Sequence, residues 1–157
     1  MDIFWQRWLM LWCVGIGAFG LVLYGVGFPA TTSGAAAIFS ALGNQLPSEP
    51  DRYLRFAISL MGAVTAGWAV TYYAAFRAAW KLAGEARAAT WRLLTTGALA
   101  WYAIDSVASI ANGFPLNAVS NTVLIILYLV PVVATRVLSA ANLSSGSTSA
   151  TDNRRVV

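Results

Sequence analysis

Predominantly apolar runs broken by short polar stretches set the pattern of the chain, over residues 8–28, 54–80, 89–111 and 116–138. About 20 apolar residues in a helix cross the ~30 Å hydrocarbon core of a bilayer. Each run reaches that length. A backbone exposed to lipid must satisfy its own polar groups, which selects helices for runs of this kind. The pattern therefore predicts an all-α, integral membrane four-helix bundle. Pro29 closes the first run, and the stretch after it is mixed. Residues 33–42 are small, weakly apolar and too short to span, so they predict a short interfacial or re-entrant helix in the first external loop. Pro47 and Pro50 mark residues 44–51 as loop. A charged turn follows at 81–88, and Asn112, Gly113 and Pro115 predict a tight turn between the last two spans. Pro131 lies inside the fourth run and predicts a kink there. The first run is longer than a signal-peptide core and is preceded by Arg7 as its one basic residue, so a retained helix is expected. Residues 139–157, Ser/Thr/Gly-rich over 144–152, predict a polar, flexible cytoplasmic tail.

Composition strengthens this picture. The 157 residues are 59% hydrophobic and 10% charged, against about 25% charged in soluble domains. The mean hydropathy is +0.66. The lipid bilayer is thus the first expected partner. The net charge of +4 does not point to nucleic acid, because the basic residues gather at the ends of the apolar runs, where anionic headgroups lie. Four spans put Arg7, Arg77, Lys81, Arg87, Arg92, Arg136, Arg154 and Arg155 on one side and only Arg52 and Arg55 on the other. The positive-inside rule then predicts both termini in the cytoplasm, with Glu49 and Asp51 outside. Trp5, Trp8, Trp12, Trp80 and Trp91 fall near one set of boundaries, Phe28 and Tyr53 near the other. Aromatic belts form at such levels.

The chemistry on offer is sparse. Histidine is absent and Cys13 is the single cysteine. Haem ligation by histidine, zinc sites and Ser-His or Cys-His catalysis are therefore not expected, and no cofactor is predicted. Asp105 is the one acid well inside a span, with Glu49 and Asp51 in the first loop, so an enzyme is the least favoured class. An intramembrane charge is costly unless paired or hydrated, and Asp105 is expected to face the bundle interior. Asp105, Ser109 and Asn112 share a face by helical spacing. Arg55 and Ser59 on the second span, and Asn117 and Asn121 on the fourth, lie at a similar level. Arg55 has the reach to pair with Asp105, and Arg52 is the alternative. That constellation reads in three ways: an ion pair that locks helix order, a small polar pocket open to the exterior, or a proton-titrating carboxylate. Deeper in, Thr65, Trp68, Tyr72, Trp101, Tyr102 and Tyr128 would line a cavity suited to a lipid, quinone or carotenoid, or pack as core. Gly17, Gly20, Tyr24 and Gly27 form a stripe on the first span. Gly62 with Ala66 on the second, and Gly97, Ala100 and Ala108 on the third, allow close helix packing.

The segments Gly27-Phe28-Pro29, Asp51-Arg52-Tyr53-Leu54-Arg55-Phe56, Trp101-Tyr102-Ala103-Ile104-Asp105-Ser106 and Asn112-Gly113-Phe114-Pro115-Leu116-Asn117 carry a likeness over most of 8–138. In outline the chain resembles small bacterial inner-membrane proteins of the DoxX-like group. The resemblance implies a membrane bundle and no particular chemistry. Small multidrug transporters differ, having an essential glutamate in a first helix that here holds no acid. The expected role is an accessory or structural subunit of a membrane complex, with a membrane-protein partner or a second copy of itself. The alternatives are a small-solute or ion carrier built on Asp105 and Arg55, and a lipid- or isoprenoid-binding protein.

Overall fold

Each apolar run forms a helix, and capping residues decide where the helices begin. The computed structural model describes residues 1–140, and among these the regular structure is entirely helical. The helices are α1 (Ile3–Tyr24), α2 (Thr32–Ala41), α3 (Arg52–Ala79), α4 (Gly84–Ala111) and α5 (Pro115–Ala134). All but α2 are long and apolar enough to cross a membrane. The chain is a multi-pass membrane protein with a helical-bundle fold. The expected tail lies outside the described residues from 141 onward.

Several boundaries differ from the apolar runs, each for a local reason. Helix α1 starts ahead of its run because Asp2 caps it, its Oδ1 accepting from Trp5 N at 3.1 Å. Asp51 caps α3 in the same way, accepting from Tyr53 N and Leu54 N at 2.8 and 2.9 Å. A capping carboxylate satisfies amide protons that have no partner inside the helix. Helix α4 starts within the charged turn, at Gly84. Helix α5 ends at Ala134 rather than 138. Pro131 therefore stands in its last turn, not mid-span, and Thr135 closes that turn through N and Oγ1 onto Pro131 O at 3.1 and 2.6 Å. The turn from α4 to α5 is the tight one expected. Gly113 takes φ +81°, and Phe114 N closes it onto Ser109 O at 2.8 Å. A left-handed glycine just past a helix end is the favourable way to stop it.

The short helix of the first loop is α2. It sits over the end of the bundle away from residue 1, where Ala35 is buried with Leu23, Val26 and Ile58 in a small apolar cluster. The larger core lies toward the other end and joins all four long helices through Trp12, Tyr72, Phe76, Trp91 and Tyr128.

Helices α1 and α3 approach most closely. A Cβ on Gly20 would stand 2.6 Å from Ala66 N and 2.8 Å from Gly62 O, so the two helix backbones touch where Gly20 and Gly62 lack a side chain. Small residues permit this contact in lipid, where association depends on packing and polar contacts rather than on the hydrophobic effect. Helices α4 and α5 form the second pair. Outward, large apolar side chains such as Leu11, Val64, Leu93 and Ile104 are 65–74% exposed on the spanning helices. Surface of that kind is a liability in water and ordinary against acyl chains.

Candidate functional site

The polar residues expected in one cluster separate into two groups, one on each helix pair. On α4, Asp105 is half-buried and accepts from Ser109 Oγ at 3.2 Å. From α5, Asn117 Nδ2 donates to Ser109 Oγ at 2.8 Å and approaches Asp105 Oδ1 at 3.5 Å. The antiparallel turn through Gly113 makes this possible by returning α5 alongside α4. One turn deeper, Tyr102 OH and Thr122 Oγ1 meet at 3.1 Å across the same interface. Between these two links lie Ser106 and Asn121, both buried. Ser106 Oγ and Asn121 Nδ2 have no hydrogen-bond partner among the described residues.

Arg55 belongs to the other group. Its Nε donates to Pro50 O at 2.9 Å, and its Nη1 donates to Val26 O and Thr32 Oγ1, both at 3.2 Å. Ser59, one turn along α3, donates to Tyr24 O at 3.0 Å. These contacts tie α3 to the end of α1 and to the first loop. The expected Arg55–Asp105 pair is absent. Arg55 leaves α3 on the face turned to α1, and the loop carbonyls take its protons before it could reach α4. Arg52, the alternative partner, donates to Tyr53 OH at 2.7 Å and lies over that ring. Among the described residues the ion pair that forms is Arg92 with Glu85, at 2.8 Å and exposed. Asn112 also leaves the expected cluster. It caps α4 and donates to Ala108 O at 2.7 Å on its own helix, in an exposed position.

Four of the five aromatic residues expected around a cavity do meet, but on one another. Trp68 lies 4.7 Å from Tyr72 and 5.1 Å from Trp101 between ring centroids, and Tyr72 lies 6.4 Å from Tyr128. Tyr72 OH donates to Leu94 O at 3.0 Å, and Tyr128 OH pairs with Thr95 Oγ1 at 3.0 Å. A lipid, quinone or carotenoid at this place would have to part these rings. Thr65 bonds back to Met61 O on its own helix, and Tyr102 belongs to the α4–α5 interface.

Sequence reasoning missed Thr32, Ser106 and Thr122. Thr32 carried no signal, since it joins Arg55 through the fold of the first loop. Ser106 and Thr122 had one: pairing Ser109 with Asn117 across an antiparallel turn sets a register that places 106 near 120 and 102 near 124, within two residues of Asn121 and Thr122.

Among the described residues no group of three or more His, Cys, Asp or Glu side chains converges to hold a metal. No protein-family model, curated protein or solved structure matches the chain.

Proposed function

We propose that the chain is a structural or accessory subunit of a membrane complex in the bacterial inner membrane, with both termini and the turn between α3 and α4 on the cytoplasmic side. One observation carries this reading. The polar side chains placed away from residue 1 act within their own helix pair, Asp105 with Ser109 and Asn117, Arg55 with the first loop. Charges that clamp helices set the bundle's shape and leave little for chemistry. The basic residues at the end bearing residue 1 support the orientation. The outline resembling DoxX-like proteins belongs to the same reading.

Solubilised from its native membranes in mild detergent and cross-linked, the chain should run in an assembly of defined size above the monomer. Recovery as monomer alone contradicts the proposal.

A carrier of a small solute or ion is the second reading, favoured by Ser106 and Asn121, whose buried unpaired atoms lie beside Asp105 in sequence and register. It requires Asp105→Asn to abolish uptake of the solute in reconstituted vesicles while the protein still inserts. The subunit reading requires the same substitution to leave assembly intact.

A further inference from the structure

Two indole N–H groups lie buried without an acceptor among the described residues, and both tryptophans line one cavity. They are Nε1 of Trp80 and Nε1 of Trp91. With Met1, Gln6, Arg87 and Val137, these tryptophans line a cavity of about 30 Å³ at the end of the bundle bearing residue 1. Their placement is fixed by Phe76, on which Trp91 stacks at 5.4 Å and Trp80 at 6.4 Å. An indole N–H and a guanidinium donate and never accept. Gln6, the other polar lining residue, already gives its Nε2 to Met1 O at 3.0 Å. Arg87 has no ion-pair partner among the described residues. Apart from the amide oxygen of Gln6, the polar side chains lining the cavity are donors, one of them cationic, and no carboxylate among the described residues lines it.

An occupant must supply acceptor atoms. On the scale of about 10–15 Å³ for one water, the space fits roughly two oxygen atoms. It does not fit a whole lipid or nucleotide. Trp80 caps the end of α3 and Arg87 lies in the first turn of α4. That is the level at which a bilayer presents its phosphates, and Lys81 adds positive charge at the same end. We infer that this cavity binds the oxygens of a phosphate group, carried by an anionic phospholipid headgroup or by free phosphate. Charge-assisted hydrogen bonds from the guanidinium and both indoles hold the oxyanion, and the remainder of the ligand stays outside.

Native mass spectrometry of the full chain in detergent tests this, titrated with phosphatidylglycerol in one arm and inorganic phosphate in the other. One equivalent is expected to bind, about tenfold more weakly to Arg87→Gln and to the Trp80→Phe/Trp91→Phe double variant, which keep the bulk and lose donors. Arg77→Gln, outside the cavity, should bind as the unaltered chain does. Binding in the lipid arm alone assigns the headgroup as source, and binding in the phosphate arm assigns the free ion. Failure in both arms overturns the inference. So does retention by Arg87→Gln equal to the unaltered chain, or an equal loss in Arg77→Gln. Should the double tryptophan variant fail to fold, the half-buried Arg87 position still decides the matter.

Discussion

Trp8 and Trp12 stand one turn apart on α1, and both donate indole protons to backbone carbonyls of α5. Trp8 Nε1 reaches Leu127 O at 2.8 Å, and Trp12 Nε1 reaches Leu124 O at 3.0 Å. The first of these depends on Pro131. In an α-helix the carbonyl at 127 would accept from the amide at 131, and proline has no amide proton. Leu127 O is thus left open and Trp8 takes it. Pro131 was legible in the sequence as a helix disturbance, but not as half of an interhelical bond, because the donor lies on another helix. Trp8→Phe should lower stability in detergent by about 1 kcal/mol. In a Pro131→Ala background the restored amide competes for the carbonyl, and the same substitution should cost at least about 0.5 kcal/mol less. Thermal unfolding of the four proteins reads the difference, and equal losses in both backgrounds would refute the coupling.

At the scale of elements, glycine placement separates contact from mere composition. Gly62 faces the backbone of α1, and a Cβ there would overlap Tyr24 N. Gly67, on the same helix, has open space around it. Gly62→Ala should push α1 from α3 and destabilise by about 3 kcal/mol, whereas Gly67→Ala should cost nothing, alanine being the better helix former by about 1 kcal/mol. Chemical denaturation in detergent micelles compares the two, and similar behaviour would mean that the α1–α3 contact is wrong. The stripe containing Gly20 and the pair Gly62/Ala66 were readable from spacing alone. The short helix α2 was readable as a weak apolar stretch too short to span. Helix α5 ended early because the terminal turn at Thr135 and Arg136, the latter at φ 49°, depends on geometry that hydropathy does not encode.

For the whole molecule, the number of spans followed from run length, which measures depth along the membrane normal. Rotation about each helix axis did not follow. Arg55 and Asp105 have similar expected depth and point to different neighbours. Trp68, Tyr72, Trp101 and Tyr128 likewise share a region, and only the packing decides whether they enclose space or fill it. Topology is open to direct labelling. In a Cys13→Ala background, Ser48→Cys in the loop after α2 and Ala83→Cys before α4 occupy exposed positions at opposite ends of the bundle. A membrane-impermeant thiol reagent added outside intact cells should modify the first and spare the second. The reverse pattern would invert the proposed orientation, and modification of both from one side would break the four-span arrangement.

The division of the polar residues into two independent clamps bears most on function, and a double-mutant cycle measures it. Arg55→Gln, Asp105→Asn and the pair together, unfolded under one set of conditions, should give additive losses within about 0.5 kcal/mol, as expected for sites without shared partners. A coupling energy above about 1 kcal/mol between Arg55 and Asp105 would mean that the two charges act as one site across the bundle, and the two-clamp account would fall.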